Sequence, residues 1–415
     1  MTITMPAPVA APARTPALAA FGVPNYRRFI SGQAVSLVGS WTETIAQGLL
    51  VLALTGSPVV LGLVTAARYL PVLLFGPFAG VIVDRHDRRR TLMLTQTLLG
   101  VVSATIGVLV VVHAVTVPLV FAVAVAFGFL TALDNPARMA LVPELVGRPL
   151  LRNAVTLNST FANVGRALGP VVAAALIGTV GIGWCFLVNA VSFAAVVLAL
   201  ASLRVADLHP ATRVPREAGQ LRAGLRFAAG HAQVLGPLVM MAFIGTFAYE
   251  FAVSLPVFAQ RSLQAGGDGY GWLTAAFGLG AVLGGVGLVP RPVTGLRPLV
   301  VVAIGYAGAL AAAAASPSLP VALAAMVLVG ASSIAFLTTG NSTIQLAAPP
   351  ELRGRVTALW TVGFVGSTPL GASLTGLVAA GFGGRAALAV GAAACLIAAA
   401  AGAAVLLARR CGRMA

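Results

Sequence analysis

The chain has 415 residues, 59% hydrophobic and 9% charged, with a formal net charge of +16 and a mean hydropathy of +0.98. Soluble domains carry about 25% charged residues, so these values place the chain in the membrane class and argue against a soluble enzyme. The positive charge invites a nucleic-acid reading. However, the basic residues, all of them arginine, lie between apolar runs rather than on one face, and no nucleic-acid motif is present.

Residues 1–28 begin with an Ala- and Pro-rich stretch that lacks the basic start and apolar core of a secretory signal. They read as a disordered cytoplasmic tail. A membrane span needs about 20 mostly apolar residues. Twelve stretches qualify, at about 29–54, 58–83, 91–113, 116–140, 152–178, 181–201, 233–259, 269–290, 297–316, 319–343, 355–380 and 385–408. The predicted fold class is therefore an all-α membrane protein with two six-helix bundles, 29–201 and 233–408. Residues 202–232 form a cytoplasmic linker whose stretch REAGQLRAGLRFAAGH suits an amphipathic surface helix. Residues 409–415 form a short cytoplasmic tail.

With both termini inside, 21 arginines fall on the cytoplasmic side, while Arg261 and Arg385 fall outside. This bias sets the orientation and predicts a multi-pass protein of the cytoplasmic (inner) membrane. Cys185, Cys395 and Cys411 lack metal or redox spacing and read as packing or surface residues. No metal or cofactor is expected, a lipid bilayer and a small molecule are the expected partners, and a monomer is the expected state.

The two bundles repeat. Residues 129–145, FLTALDNPARMALVPEL, align without a gap on 336–352, FLTTGNSTIQLAAPPEL, and GLVTAARYL (62–70) aligns on GWLTAAFGL (271–279). Parallel repeats of this kind place a substrate site between the halves, near the midplane.

Residues 80–90, GVIVDRHDRRR, join spans 2 and 3. With the twelve spans and the repeat, this stretch resembles the signature of the major facilitator superfamily, on Gly80, Asp84, Arg85, Arg88, Arg89 and Leu92. Asp87 stands where that signature has a second glycine. The resemblance implies that Asp84 faces the N-terminus of span 11. It also implies that an acid low on span 4 pairs with the basic residues, and Asp134 is placed for that, with Arg138 beside it. Such contacts would lock an outward-facing state; the alternative is a topology anchor alone.

GRALGP (165–170) resembles an element of the antiporters of that superfamily, on Gly165, Gly169 and Pro170. The alternative is a generic packing motif. LTGSP (54–58), LPVLLFGPFAG (70–80) and PEL-x-GR in both halves are similar to a branch of bacterial siderophore, macrolide and multidrug exporters. The resemblance implies export of small amphipathic molecules, coupled to protons. An importer, or a non-transporting membrane sensor, is the alternative.

Ionisable residues inside spans are expensive and are functional candidates by default. Gln33, Ser36, Ser40, Glu43 and Gln47 recur at spacings of 3 and 4, which is one face of span 1. Glu43 is the first candidate for a proton carrier, a role for which low-dielectric surroundings suit a carboxyl group; the alternative is a structural carboxylate tied to an arginine. Glu250 and Asp134 are further candidates. Two membrane glutamates suit protons and cationic substrates. Arg166 shares a stripe with Thr156, Ser159 and Asn163 and is the expected partner of Glu43. Arg68 is expected to snorkel toward the outer side. Trp41, Tyr249, Asn341 and Gln47 complete the cavity candidates. Asn341 and Gln345 take the places of Asp134 and Arg138 in the second half.

Overall fold

The computed structural model describes residues 18–209, 220–288 and 294–410. The apolar stretches are mainly helical where they are described, with breaks at residues 248–250 in the seventh and 366–367 in the eleventh. The first half holds α1 (Pro24–Thr55), α2 (Pro58–Arg85), α3 (Arg88–Val111), α4 (Val117–Thr179) and α5 (Ile182–Ala201). α6 (Gln220–Gly230) follows in the linker. The second half holds α7 (Ala232–Phe247), α8 (Phe251–Val257), α9 (Gly266–Leu288), α10 (Leu296–Ala315), α11 (Leu319–Ala347), α12 (Pro350–Val365) and α13 (Thr368–Arg410).

Local chemistry sets the helix ends. Pro58 opens α2, behind the Ser57 side chain, which accepts from the Val60 N–H. Gly56 closes α1 in a left-handed conformation, φ 61°. The 63 residues of α4 would run about 95 Å if straight, three times the hydrocarbon core. Gly147, at φ 68° and ψ 173°, folds them into two arms. Gly383, at φ 83° and ψ 174°, does the same in α13. Large apolar side chains such as Leu74, Phe78, Val191, Leu198 and Leu328 stay exposed on the outside, as a lipid-facing surface requires.

Helix begins earlier than expected. A turn of 3₁₀ helix covers Ala19–Gly22 and α1 starts at Pro24, inside the stretch expected to be disordered. The reason is tertiary. The Tyr26 hydroxyl donates to the Ala154 carbonyl at 3.0 Å, and the Asn25 side chain exchanges two hydrogen bonds with the Arg204 backbone. Residues 1–17, 210–219, 289–293 and 411–415, with Cys411, lie outside the described residues.

The halves meet through α2 against α13 and the second arm of α4 against α9. These approaches run from one end to about the middle of the helices. A Cβ added at Gly62 would stand 2.4 Å from the Ala372 carbonyl oxygen, and one at Gly278 would stand 2.7 Å from the Ala167 Cα. Arg261 adds a hydrogen bond of 2.5 Å to the Gly56 carbonyl at the same end. At the other end, which carries Arg27, Arg28, Arg88–Arg90, Arg353 and Arg355, no hydrogen bond joins the halves among the described residues. Thr156 and Ser159 are exposed there. Among the described residues the molecule is closed at the arginine-poor end and open at the arginine-rich end.

Candidate functional site

The polar face of α1 turns into the first half. Glu43 is 2% exposed. Its Oε2 accepts from the Ser103 hydroxyl at 2.5 Å and from Asn189 Nδ2 at 2.6 Å. Its Oε1 stands 3.9 Å from Arg68 Nη1. That same Nη1 donates to Gln47 Oε1 at 2.5 Å, and the guanidinium lies 4.0 Å from the Phe127 ring centroid. Arg68, not Arg166, is therefore the partner of Glu43. Nor does Arg68 snorkel outward; it reaches back between α1 and α4. Helical spacing identified the polar face correctly but says nothing about which neighbouring helix faces it.

Asp134, 1% exposed, forms a second acid site beside the first. Its Oδ1 accepts from Thr95 Oγ1 at 2.9 Å and Gln96 Nε2 at 2.8 Å, and its Oδ2 pairs with Arg138 one turn along α4. Arg68, Asp134 and Arg138, with Gln33, Ser36 and Ser40 of α1, line one cavity of about 190 Å³. The second half repeats the geometry without charge, where Gln345 Nε2 donates to Asn341 Oδ1 at 3.1 Å.

The basic cluster is wired differently from the expectation. Arg88 pairs with Glu144 in α4, not with Asp134. Arg89 donates to the carbonyls of Leu200 and Ala201 at the end of α5. Arg85 is exposed and Gly80 is buried, while the Asp84 side chain lies outside the described residues. Asp87 caps α3, accepting from the Arg90 N–H at 2.8 Å, so a capped turn replaces the second glycine. All these contacts stay within the first half.

The second arm of α4 packs tightly on α1. A Cβ at Gly165 would stand 2.9 Å from the Leu37 Cβ, and one at Gly169 would stand 2.4 Å from the Trp41 Cβ. Pro170 follows, buried. On another side Ala167 meets Gly278 of α9. Arg166 lies between these two approaches. Its guanidinium stands 4.9 Å from the Trp41 ring centroid and 5.9 Å from that of Phe277. Asn163, half-buried like Arg166, leads from it toward exposed Ser159 and Thr156.

Glu250 is also buried. It sits where span 7 breaks, between α7 and α8, and opens α8. Thr368 of α13 hydrogen-bonds its carboxylate. The Tyr306 hydroxyl takes the Ala248 carbonyl at 2.8 Å. Tyr249 donates to the Ser333 carbonyl at 2.8 Å and packs edge-on against Phe364. Sequence reading missed Ser103, Asn189, Thr95, Gln96 and Glu144. Ser103, Asn189, Thr95 and Gln96 lie within apolar spans, and asking what each buried acid needs as donors would have found them; Glu144 answers the converse question of which acid the basic cluster needs.

A family model described as transmembrane secretion effector matches residues 15–411. The chain belongs to that family. Its fold is that of the major facilitator superfamily. Among relatives, this family member is 29% identical to the multidrug efflux pump Tap of Mycolicibacterium fortuitum, over 83% of this chain and 85% of the pump. It is 25% identical to the enterobactin exporter EntS of Escherichia coli O1:K1, over 84% and 82%. It is also 25% identical to the staphyloferrin A transporter of Staphylococcus aureus, over 61% of this chain and 64% of that protein. Solved structures share the fold. A bacterial homologue of the iron transporter ferroportin in an inward-facing state superposes with TM-score 0.72 at 15% identity, covering 92% of this chain and 98% of that one. An inward-facing, unoccupied bacterial homologue of the lysosomal transporter spinster gives 0.68 at 16% identity, covering 93% and 97%. The family member is thus a multi-pass membrane transporter, not an enzyme.

Proposed function

We propose that this protein exports small amphipathic molecules by alternating access, with protons entering in exchange. The arginine-rich end faces the cytoplasm, both termini are cytoplasmic, the working unit is a monomer, and the proton gradient supplies the energy without a cofactor. The exporters among the relatives support the direction.

The observation that carries the coupling is the shared position of Arg68 between Gln47 and Glu43. Protonation of Glu43 would remove the anion and leave Arg68 to the neutral amide. That changes how α1, α2, α3 and α5 hold one another, because Glu43 also holds Ser103 and Asn189. A proton can in this way bias a two-state element. Asp134 with Arg138 offers a second such pair on the same cavity.

The test is accumulation of fluorescent cationic, neutral and anionic amphipaths in inverted membrane vesicles with an imposed acid interior. Accumulation that vanishes when an ionophore collapses the gradient is expected. Equal accumulation without a gradient would make the protein a facilitator and overturn the coupling.

A further inference from the structure

Five arginines lie within or at the ends of described spans without reaching the arginine-rich end, and four are accounted for. Arg68 serves Gln47 and Glu43, Arg138 pairs with Asp134, Arg261 donates to the Gly56 carbonyl, and Arg385 donates to the Ala314 carbonyl at 2.8 Å. Arg166 is the exception. Among the described residues it makes no hydrogen bond and no ion pair, and its Nε is buried without a partner. Its company is two aromatic rings, Trp41 from the first half and Phe277 from the second.

A guanidinium inside a membrane protein is costly unless it is paired or wet. Among the described residues, no acid is free to pair with Arg166. Glu43 is enclosed by Ser103, Asn189 and Arg68 of the first half, and Glu250 is held at the α7–α8 break by Thr368. Asp268, at the start of α9, is exposed at the closed end. The uncompensated charge at the seam between the halves is therefore positive. This reverses the cation preference that two membrane glutamates imply.

We propose that the seam is a binding site for organic anions. A carboxylate or similarly delocalised oxyanion takes the fork of Arg166, and a flat apolar body lies on Trp41 and Phe277. The open end admits the ligand past Thr156, Ser159 and Asn163. A planar fork suits a bidentate oxyanion, and charge-assisted hydrogen bonds are the strong ones. The rings supply apolar area on both sides of the seam, so the ligand touches both halves, as alternating access requires. This rests on the exporter reading for its role in transport, but not for binding.

The experiment uses the purified full-length protein in lipid nanodiscs and three matched probes: 2-naphthoate, 2-naphthylmethanol and 2-naphthylmethylammonium. Binding is read by calorimetry for wild type, Arg166→Gln and Arg166→Lys. Wild type should bind naphthoate at least about tenfold tighter than the alcohol. Arg166→Gln should lose that preference and keep the alcohol affinity, which shows that the variant is folded. Arg166→Lys should keep only part of it. A wild type that binds the ammonium or the alcohol as tightly as the anion, or binds none of the three, overturns the proposal, as does an anion preference that survives in Arg166→Gln. Anion binding without gradient-driven accumulation would keep this site and sink the exporter reading. Export of cations that ignores Arg166→Gln would do the reverse.

Discussion

The guanidinium of Arg68 stands 3.9 Å from the carboxylate of Glu43, deep in the first half of the molecule. The pair is not closed, because Arg68 gives its shorter hydrogen bond to Gln47. This arrangement leaves the acid with two neutral donors and one loosely held cation.

Breaking such a pair from one side should cost more than removing it. Arg68→Met leaves Glu43 with Ser103 and Asn189 alone and should destabilise by about 3 kcal/mol. Arg68→Met with Glu43→Gln should recover a good part of that loss. Thermal unfolding of the detergent-solubilised single and double variants checks the coupling. A double variant whose loss equals the sum of the two single losses would show that the two residues act independently.

The approach of α1 to α4 leaves no room at Gly169. Gly169→Val should push Trp41 and Val38 away, cost about 1–3 kcal/mol through overpacking and lower the yield of monodisperse protein. Gly178→Val is the control, because a Cβ there meets nothing within 4 Å. Size-exclusion profiles of the two variants give the comparison.

The contacts of the basic cluster tie α3 to α4 and α5 within one half. Glu144→Gln should therefore lower thermal stability, by about 1–3 kcal/mol for a charged hydrogen bond lost. It should leave the distance distribution between the halves at the arginine-rich end unchanged. Spin labels at Thr156 and Thr357 would read that distribution.

At the closed end, Arg261 holds the Gly56 carbonyl across the halves. Arg261→Gln should shift the population open at this end by about fivefold, the value of about 1 kcal/mol. Spin labels at Thr55 and Ser262, in a background without the natural cysteines, should show the longer distance gain weight. An unchanged distribution would mean that helix packing alone closes this end.

Much of the fold was legible because bilayer thickness sets the length of each apolar run. The polar face of α1 was legible from its spacing, and its Gln33, Ser36 and Ser40 line a cavity with Asp134. What spacing cannot tell is which neighbour a face meets. Arg68 and Arg166 are both single arginines in apolar helices, and the packing glycines around Arg166 decide that it meets rings rather than an acid. The break at Glu250 was likewise hidden, since its causes, Tyr306 and Thr368, come from helices far along the chain.

The most direct measurement of the central claim is proton release from inverted vesicles holding an acid interior, followed with a pH-sensitive dye as anionic, neutral and cationic amphipaths are added. The account predicts release on addition of a transported compound by wild type, and its loss in Glu43→Gln. Release that persists in Glu43→Gln, or compounds that bind the protein yet release no protons, would contradict it.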